Sequence, residues 1–459
     1  MILSGSHETV QHKYTDCFAD LKKKTAIKQN SNMFAEAEIV SGGDMLIRSA
    51  EAIREAYADT DEDLREALDR GENPIMDISV SFDGTWQKRG FTSLYGVGIS
   101  IDVLTGYVVD YVVLSKYCHT CKIQEAKNLP EAEMVAWREE HAADCCQNHH
   151  LSSKSMEQEA AKIMWQRSVE KFRFRYVEML SDGDSTAYKA VCDMAPYGAQ
   201  TVNKLECINH AHKRMGTALR KLAKEERLGG RGVGRLTENK CDSLQNFYRG
   251  AILDNLPNID KMRAAVWASL YHSMSTDAHP HHQRCPEGVD SKCFYKKALA
   301  RGEQPGSHQD HPSHTYLSRE VAEKMVTIYK RMSDETLLRR MIHGGTQNTN
   351  ECLNSTIWAR CPKTSFLGLK RVQGSVARAV CIFNEGAHEL VGLMNKMYMD
   401  ISYDTLKLLA EKDGRRMKKG DAAAKMEARR KRKMHTLQRR QHTRAEDARD
   451  GDVYGAGAH

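Results

Sequence analysis

The sequence predicts an α/β fold built on a mixed five-stranded sheet, and three observations predict it. Three runs rich in Val and Ile follow one another closely, separated by short turns. A helical stretch then leads into a fourth such run, which ends in acid–glycine. Beyond a fifth, short run the apolar period becomes helical and stays so through most of the remaining chain.

The elements follow in order. Residues 1–30 are polar without clear periodicity. From about Met33 to Leu68 the apolar positions Met45, Leu46, Ile53, Tyr57, Leu64 and Leu68 recur at helical spacing, and Glu72-Asn73-Pro74 stops them. Ile75–Phe82 (IMDISVSF) reads as the first strand, ended by Asp83-Gly84 as a turn. Leu94–Val103 (LYGVGISIDV) is the second. After the Thr105-Gly106 turn, Tyr107–Leu114 (YVVDYVVL) is the third, and the short links make a meander. Residues 117–150 are polar and rich in Cys and His. Met156–Val169 reads as a helix, Phe172–Leu180 (FRFRYVEML) as the fourth strand before Asp182-Gly183, Thr186–Met194 as a helix, and Thr201–Leu205 as the fifth strand. From Ala211 to Met341 the pattern is mostly helical, broken by a His-, Cys- and Pro-containing loop at about 276–315; Asn350–Trp358 and Val376–Lys396 are closing helices. This order fits an RNase H-like core, in which an antiparallel meander is extended by two more strands with helices on both faces, among other α/β folds. The organisation expected is an N-terminal polar segment and helix (1–70), a sheet core (71–210) with a Cys/His insert (117–150), an α-helical insertion (211–340), closing helices (341–400) and a basic helical tail (401–459).

Composition narrows the function classes. The 459 residues are 41% hydrophobic and 28% charged, enough for several folded domains. No apolar run approaches the ~18 residues of a membrane span, and the N-terminus has no secretory h-region. Thirteen cysteines, an odd number, speak for a reducing compartment rather than a disulfide framework. The net charge of +7 is concentrated: residues 411–450 hold 15 Lys/Arg against 7 Asp/Glu, which leaves the rest near neutral. Within that tail Arg415, Arg416, Lys418 and Lys419 precede Arg429–Lys433 at a bipartite spacing. Such a tail suits a polyanion or a nuclear import receptor, if it is more than a solvated helix.

Asp83 and Asp182 each follow an apolar strand and precede glycine, with Asp184 two residues on. Carboxylates there can approach a metal and a phosphate, and two-metal phosphoryl transfer needs such a cluster; Asp-Gly after a strand is equally an ordinary turn. A third acid, Glu351, stands near a helix start. Lys88 and Arg89 after the first acid, with Lys213 and Arg214, are candidate phosphate contacts or exposed turn and helix residues. Cys118-x2-Cys121 with His141-x3-Cys145 has the spacing of a closed tetrahedral Zn²⁺ site, with Cys146, His149 and His150 as alternates. A second, weaker zinc set combines Cys207 and His210 with His282, Cys285 and Cys293; His308, His311 and His314 read as solvent-exposed loop residues. Gly230-Arg231-Gly232-Val233-Gly234 has no strand before it and reads as a loop, not a nucleotide cradle. Trp358 reads as a core anchor.

Several segments taken together carry a family resemblance. DISVSFDGTWQKRGFTSLYGVG (77–98), VLSKYCHTC (113–121), MLSDGDSTAY (179–188), CINHAHKRMG (207–216) and TQNTNECLNSTIWARCPK (346–363) resemble the Mutator-like transposase domain of animal DNA transposons, over roughly residues 70–390. The resemblance implies an RNase H-like DDE core with a helical insertion before the last acid. It makes Asp83 the first acid, Asp182 (or Asp184) the second and Glu351 the last, with Cys207 and His210 as the C-x2-H motif after the second. It further implies Mg²⁺- or Mn²⁺-dependent cleavage and strand transfer of DNA in the nucleus by a homo-oligomer. The alternative is a transposon-derived, catalytically inactive nuclear DNA-binding protein.

Overall fold

A computed structural model describes residues 7–59, 61–88, 92–182, 186–310, 316–362 and 367–424, with side chains from 33 to 418. The chain divides into two compact units, Gly43–Ala379 and Met1–Gly42 with Val380–His459.

In chain order, α1 (His7–Ala58) and α2 (Glu62–Asp69) precede the sheet. Asp61 caps α2 by accepting from the Leu64 N–H at 3.1 Å. The strands β1 (Met76–Trp86), β2 (Tyr95–Asp102) and β3 (Val108–Ser115) follow, then α3 (His119–Glu125), α4 (Glu131–His141), α5 (Met156–Phe172), β4 (Phe174–Ser181), α6 (Thr186–Met194) and β5 (Asn203–Glu206). A helical region comes next: α7 (Ile208–Glu225), α8 (Glu238–Leu253), α9 (Ile259–His272), α10 (Phe294–Ala300), α11 (Arg319–Met332) and α12 (Glu335–Arg339). The chain returns to the sheet with α13 (Asn348–Arg360) and continues as α14 (Leu369–Asn384), α15 (Glu389–Lys396) and α16 (Tyr403–Ala424).

The sheet order is β3-β2-β1-β4-β5. β1, β2 and β3 pair antiparallel, whereas β4 and β5 run parallel to β1, so the fold is mixed α/β. The expected meander and its two-strand extension are therefore present. The expected turn at Asp83-Gly84 is not: β1 continues to Trp86, with Asp83 opposite Ile99 and Gly84 opposite Gly98. Gly84 is there for space. A Cβ on it would lie 2.7 Å from Glu157 Cγ on α5, and one on Gly98 would lie 2.5 Å from Ala160 Cβ. Small residues at both positions let α5 rest close on the strands.

The period of two along β1 divides its neighbours. Phe82 faces α5 and meets Trp165 edge-on at 5.8 Å, while Trp165 also donates to the Tyr176 carbonyl at 3.0 Å. Ser81, Asp83 and Thr85 face α13. α5 ends where Arg173 takes a left-handed conformation (φ 58°), which turns the chain directly into β4. The helices after β5 have their own apolar core, with Met215, Leu219, Leu244, Tyr248, Val266 and Tyr329 among its buried members. The 230–234 stretch lies in the loop between α7 and α8. In the smaller unit, Asp413 of α16 accepts from the backbone N–H groups of Ala387 and His388 at 2.6 and 3.0 Å.

Candidate active site and metal centres

Parallel pairing places the first two acids. Ser81 of β1 stands opposite Leu180 of β4, and two residues further on come Asp83, still within β1, and Asp182, directly after the end of β4. α13 brings the third. Its N-cap Gln347 and positions 350, 354 and 358 share one face, and each bonds to β1. Gln347 Nε2 donates to the Phe82 carbonyl at 2.8 Å, Asn350 Oδ1 accepts from Ser81 Oγ at 2.6 Å, Asn354 Nδ2 donates to Asp83 Oδ2 at 2.7 Å, and Trp358 Nε1 donates to Thr85 Oγ1 at 2.8 Å. Trp358 thus anchors by a hydrogen bond as well as by packing. The ladder sets the helix register, and Glu351 falls in the first turn, where a carboxylate complements the helix dipole.

His210 of α7 lies near the other two acids. Its Nδ1 meets the Asp182 carboxylate, and its Nε2 lies 4.0 Å from Glu351 Oε1. Burial first, then the nearby charge of Lys213, holds the imidazole below its usual pKa, against the pull of Glu351. Asp184, the alternate second acid, lies outside the described residues.

The Asp83 carboxyl is pushed up to about 7. Burial is the largest cause, the Glu157 and Glu351 carboxylates add to it, and the Asn354 hydrogen bond opposes it. Glu157 itself is raised by burial. This fourth acid, in the first turn of α5, escapes the sequence reading because no strand end or glycine marks it. Among candidate phosphate contacts, Lys88 and Lys213 are exposed, and Arg89 lies outside the described residues. Arg214 instead donates to the buried Glu206 at 2.7 Å, so its guanidinium is engaged.

The first Cys/His set comes together. Cys118, Cys121, His141 and Cys145 present donor atoms all within 4.8 Å of one another and could hold a metal ion. Cys118 Sγ lies 3.3 Å from His141 Nε2, and the Cys121 and Cys145 sulfurs lie 3.5 Å apart. Trp137 stacks on His141 at 4.6 Å and fixes its ring. α3 and α4 bury none of their side chains, so the insert has little apolar core of its own. His149 is elsewhere, bonded to Ser152 and Ser155.

The second set is redistributed. His282, Cys285 and Cys293 gather with His272, at the end of α9, and not with Cys207 and His210. Cys207 is the N-cap of α7 and its sulfur accepts from the Gln347 N–H at 3.4 Å. His210 serves the carboxylate cluster. His308, expected in solvent, is 5% exposed; His311 and His314 lie outside the described residues. No helix among the described residues is long and apolar enough to cross a membrane.

The family model of the Mutator-like transposase matches residues 29–293, more than half of the chain. Neither the curated proteins nor the solved structures hold a match to it.

Proposed function

The chain belongs to the Mutator-like transposase family, and we propose that it is a DNA transposase that cleaves and transfers DNA strands at a DDE-type centre of Asp83, Asp182 and Glu351. The observation that carries this reading is the pairing of Ser81 with Leu180, which sets Asp83 and Asp182 at matching ends of two parallel strands, with α13 and its Glu351 bonded to β1 beside them. The order of the sheet supports an RNase H-like core, and the helices between β5 and α13 support an insertion before the last acid.

The donor set fits Mg²⁺ or Mn²⁺. All three groups offer hard carboxylate oxygen. The strongest influences on Asp83, apart from burial, are two carboxylates and one amide, so the site favours added positive charge. When bound, the ions activate the attacking water or 3′-hydroxyl and stabilise the leaving oxygen. The protein's own groups do the positioning. Asn354 holds one Asp83 oxygen, His210 stands beside Asp182 and Glu351, and the α13 ladder keeps Glu351 beside the strands. Lys88 and Lys213 supply phosphate contacts, with Arg89 beside them in the sequence. Asp184 is the alternate second acid. Zn²⁺ at Cys118, Cys121, His141 and Cys145 is structural, since four protein ligands leave no open position. Two element ends must be joined, which requires at least a dimer, and the basic tail directs the protein to the nucleus through an import receptor.

Nicking of supercoiled plasmid in Mn²⁺ tests the centre. The parent chain nicks, and Asp83→Asn, folded to the same extent, loses roughly 10³-fold or more of the rate. Equal nicking by Asp83→Asn would sink the assignment. No nicking by either, from a folded sample, would favour the inactive nuclear DNA-binding derivative.

A further inference from the structure

We propose that His272, His282, Cys285 and Cys293 hold a second structural zinc ion in the helical region, and that His308 and Asp277 orient its ligands from outside.

The segment between α9 and α11 has an unusual interior. From 275 to 310 the buried side chains are Ser275, His282, Cys285, Ser291, Cys293 and His308. None is aliphatic. A segment that buries thiols and imidazoles in place of hydrocarbon needs another source of cohesion, and a metal ion supplies it.

The donor spacing is that of a tetrahedron. Zn–S bonds of about 2.3 Å and Zn–N bonds of about 2.0–2.1 Å put neighbouring donors roughly 3.3–3.8 Å apart. His282 Nδ1 lies 3.4 Å from Cys293 Sγ and 3.7 Å from Cys285 Sγ, and His272 Nδ1 lies 3.5 Å from Cys285 Sγ. All four donors fall within 4.8 Å of one another. Two imidazoles and two thiols leave no open position, so the site is structural.

The surroundings determine which nitrogen of His282 is free. Asp277 Oδ1 lies 2.5 Å from His308 Nδ1 and also accepts from the His308 N–H at 2.7 Å, while Ser307 Oγ donates to Oδ2 at 2.6 Å. A carboxylate that accepts all these bonds requires the proton on His308 Nδ1. His308 Nε2 is then an acceptor, and it stands 2.8 Å from His282 Nε2. His282 therefore carries its proton on Nε2 and turns a bare Nδ1 toward the two thiols. Tyr295 stacks on the His282 ring at 4.3 Å and holds its plane. A carboxylate and a second ring behind a ligating histidine raise its basicity and lock its orientation. The ion would join the end of α9, through His272, to the N-cap of α10, through Cys293.

Elemental analysis of the purified full chain tests the proposal, followed by exchange with Co²⁺. Two zinc ions per chain are expected. A Cys118→Ser/Cys121→Ser variant should keep one, and its Co²⁺ derivative should show charge-transfer absorption from two thiolates. Adding Cys285→Ser should remove both the ion and that band. A parent chain with a single zinc that disappears in Cys118→Ser/Cys121→Ser would overturn the second site while leaving the first. His308→Ala keeps every ligand, so it isolates the orienting pair. Competition with a chromophoric chelator should show one of its two zinc ions bound roughly 10–100-fold more weakly. Unchanged affinity at both sites would overturn the role of His308 and Asp277.

Discussion

On one side of β1 a helix is seated closely by packing, around Trp165 and with Glu157 against Gly84; on the other a helix is held by a row of hydrogen bonds. Phe82 and Gly84 turn toward α5, and the glycines let that helix lie against the sheet. Ser81, Asp83 and Thr85 turn toward α13, which answers each with a hydrogen bond. Both faces are covered, but by different forces. Apolar packing gains from area and is non-directional, limited here by the close fit at Gly84 and Gly98. A polar contact counts only when each donor meets its acceptor, so it sets the register of α13 to within one residue. Asp83 lies on that face and accepts one of these bonds from Asn354.

Four measurements would sharpen or break that contrast. The largest effect belongs to the polar face and depends on pH. The folded-state pKa of Asp83, about 7, lies above its ordinary 3.8. Folding thus favours the protonated acid: its contribution is full below about pH 4 and is lost as pH rises through 7. Without divalent metal, Asp83→Asn should be more stable than the parent at pH 8, by up to about 4 kcal/mol. The gap should close toward pH 4, and Mn²⁺ should narrow it at pH 8. A gap that does not move with pH in denaturant titrations would break the account. Next comes the apolar face. Gly98→Val should cost about 3 kcal/mol through its clash with Ala160, and Ala160→Gly should restore part of the loss. Unfolding curves that overlay the parent would mean that α5 does not rest there. Asn350→Ala should cost about 2 kcal/mol, because it leaves Ser81 Oγ and buried backbone without their partner. It should also lower nicking, since Glu351 loses its register; stability loss with normal nicking would separate the ladder from the site. The smallest effect is Trp358→Phe, about 1 kcal/mol for one lost bond to Thr85, read as a shift in Tm with nicking kept.

The strand sequence was legible because β-branched runs and turn residues are local signals. β1, β2, β3, β4 and β5 lie within a few residues of their expected ranges. The departures have local causes. Asp83-Gly84 has the composition of a turn, yet it is strand because α5 needs a residue without a side chain there. Cys118, Cys121, His141 and Cys145 were readable because close pairs of ligands need little help from the fold to meet. The second set was readable only in part. His282, Cys285 and Cys293 are near one another in the chain, but His272 lies on a helix that reads as packing surface. His210 carried the spacing of a zinc ligand and proved to be a neighbour of two acids. Glu157 carried no signal at all.

Composition and periodicity were enough for the α/β class, the order of the strands and the concentration of charge in the C-terminal tail, and the family resemblance singled out three acids worth testing. These are properties of short segments, where propensity and spacing act over a few residues. Tertiary structure alone decided which side chains share a site. Asp83, Asp182, His210, Glu157 and Glu351 come from separate parts of the chain, and their nearness depends on parallel pairing, on a glycine that admits α5 and on the bonding face of α13. The same holds for the pairing of His282 with His308 and Asp277. The physical reason is that the energy of a buried polar group depends on partners brought together by the fold, and no local pattern records those partners.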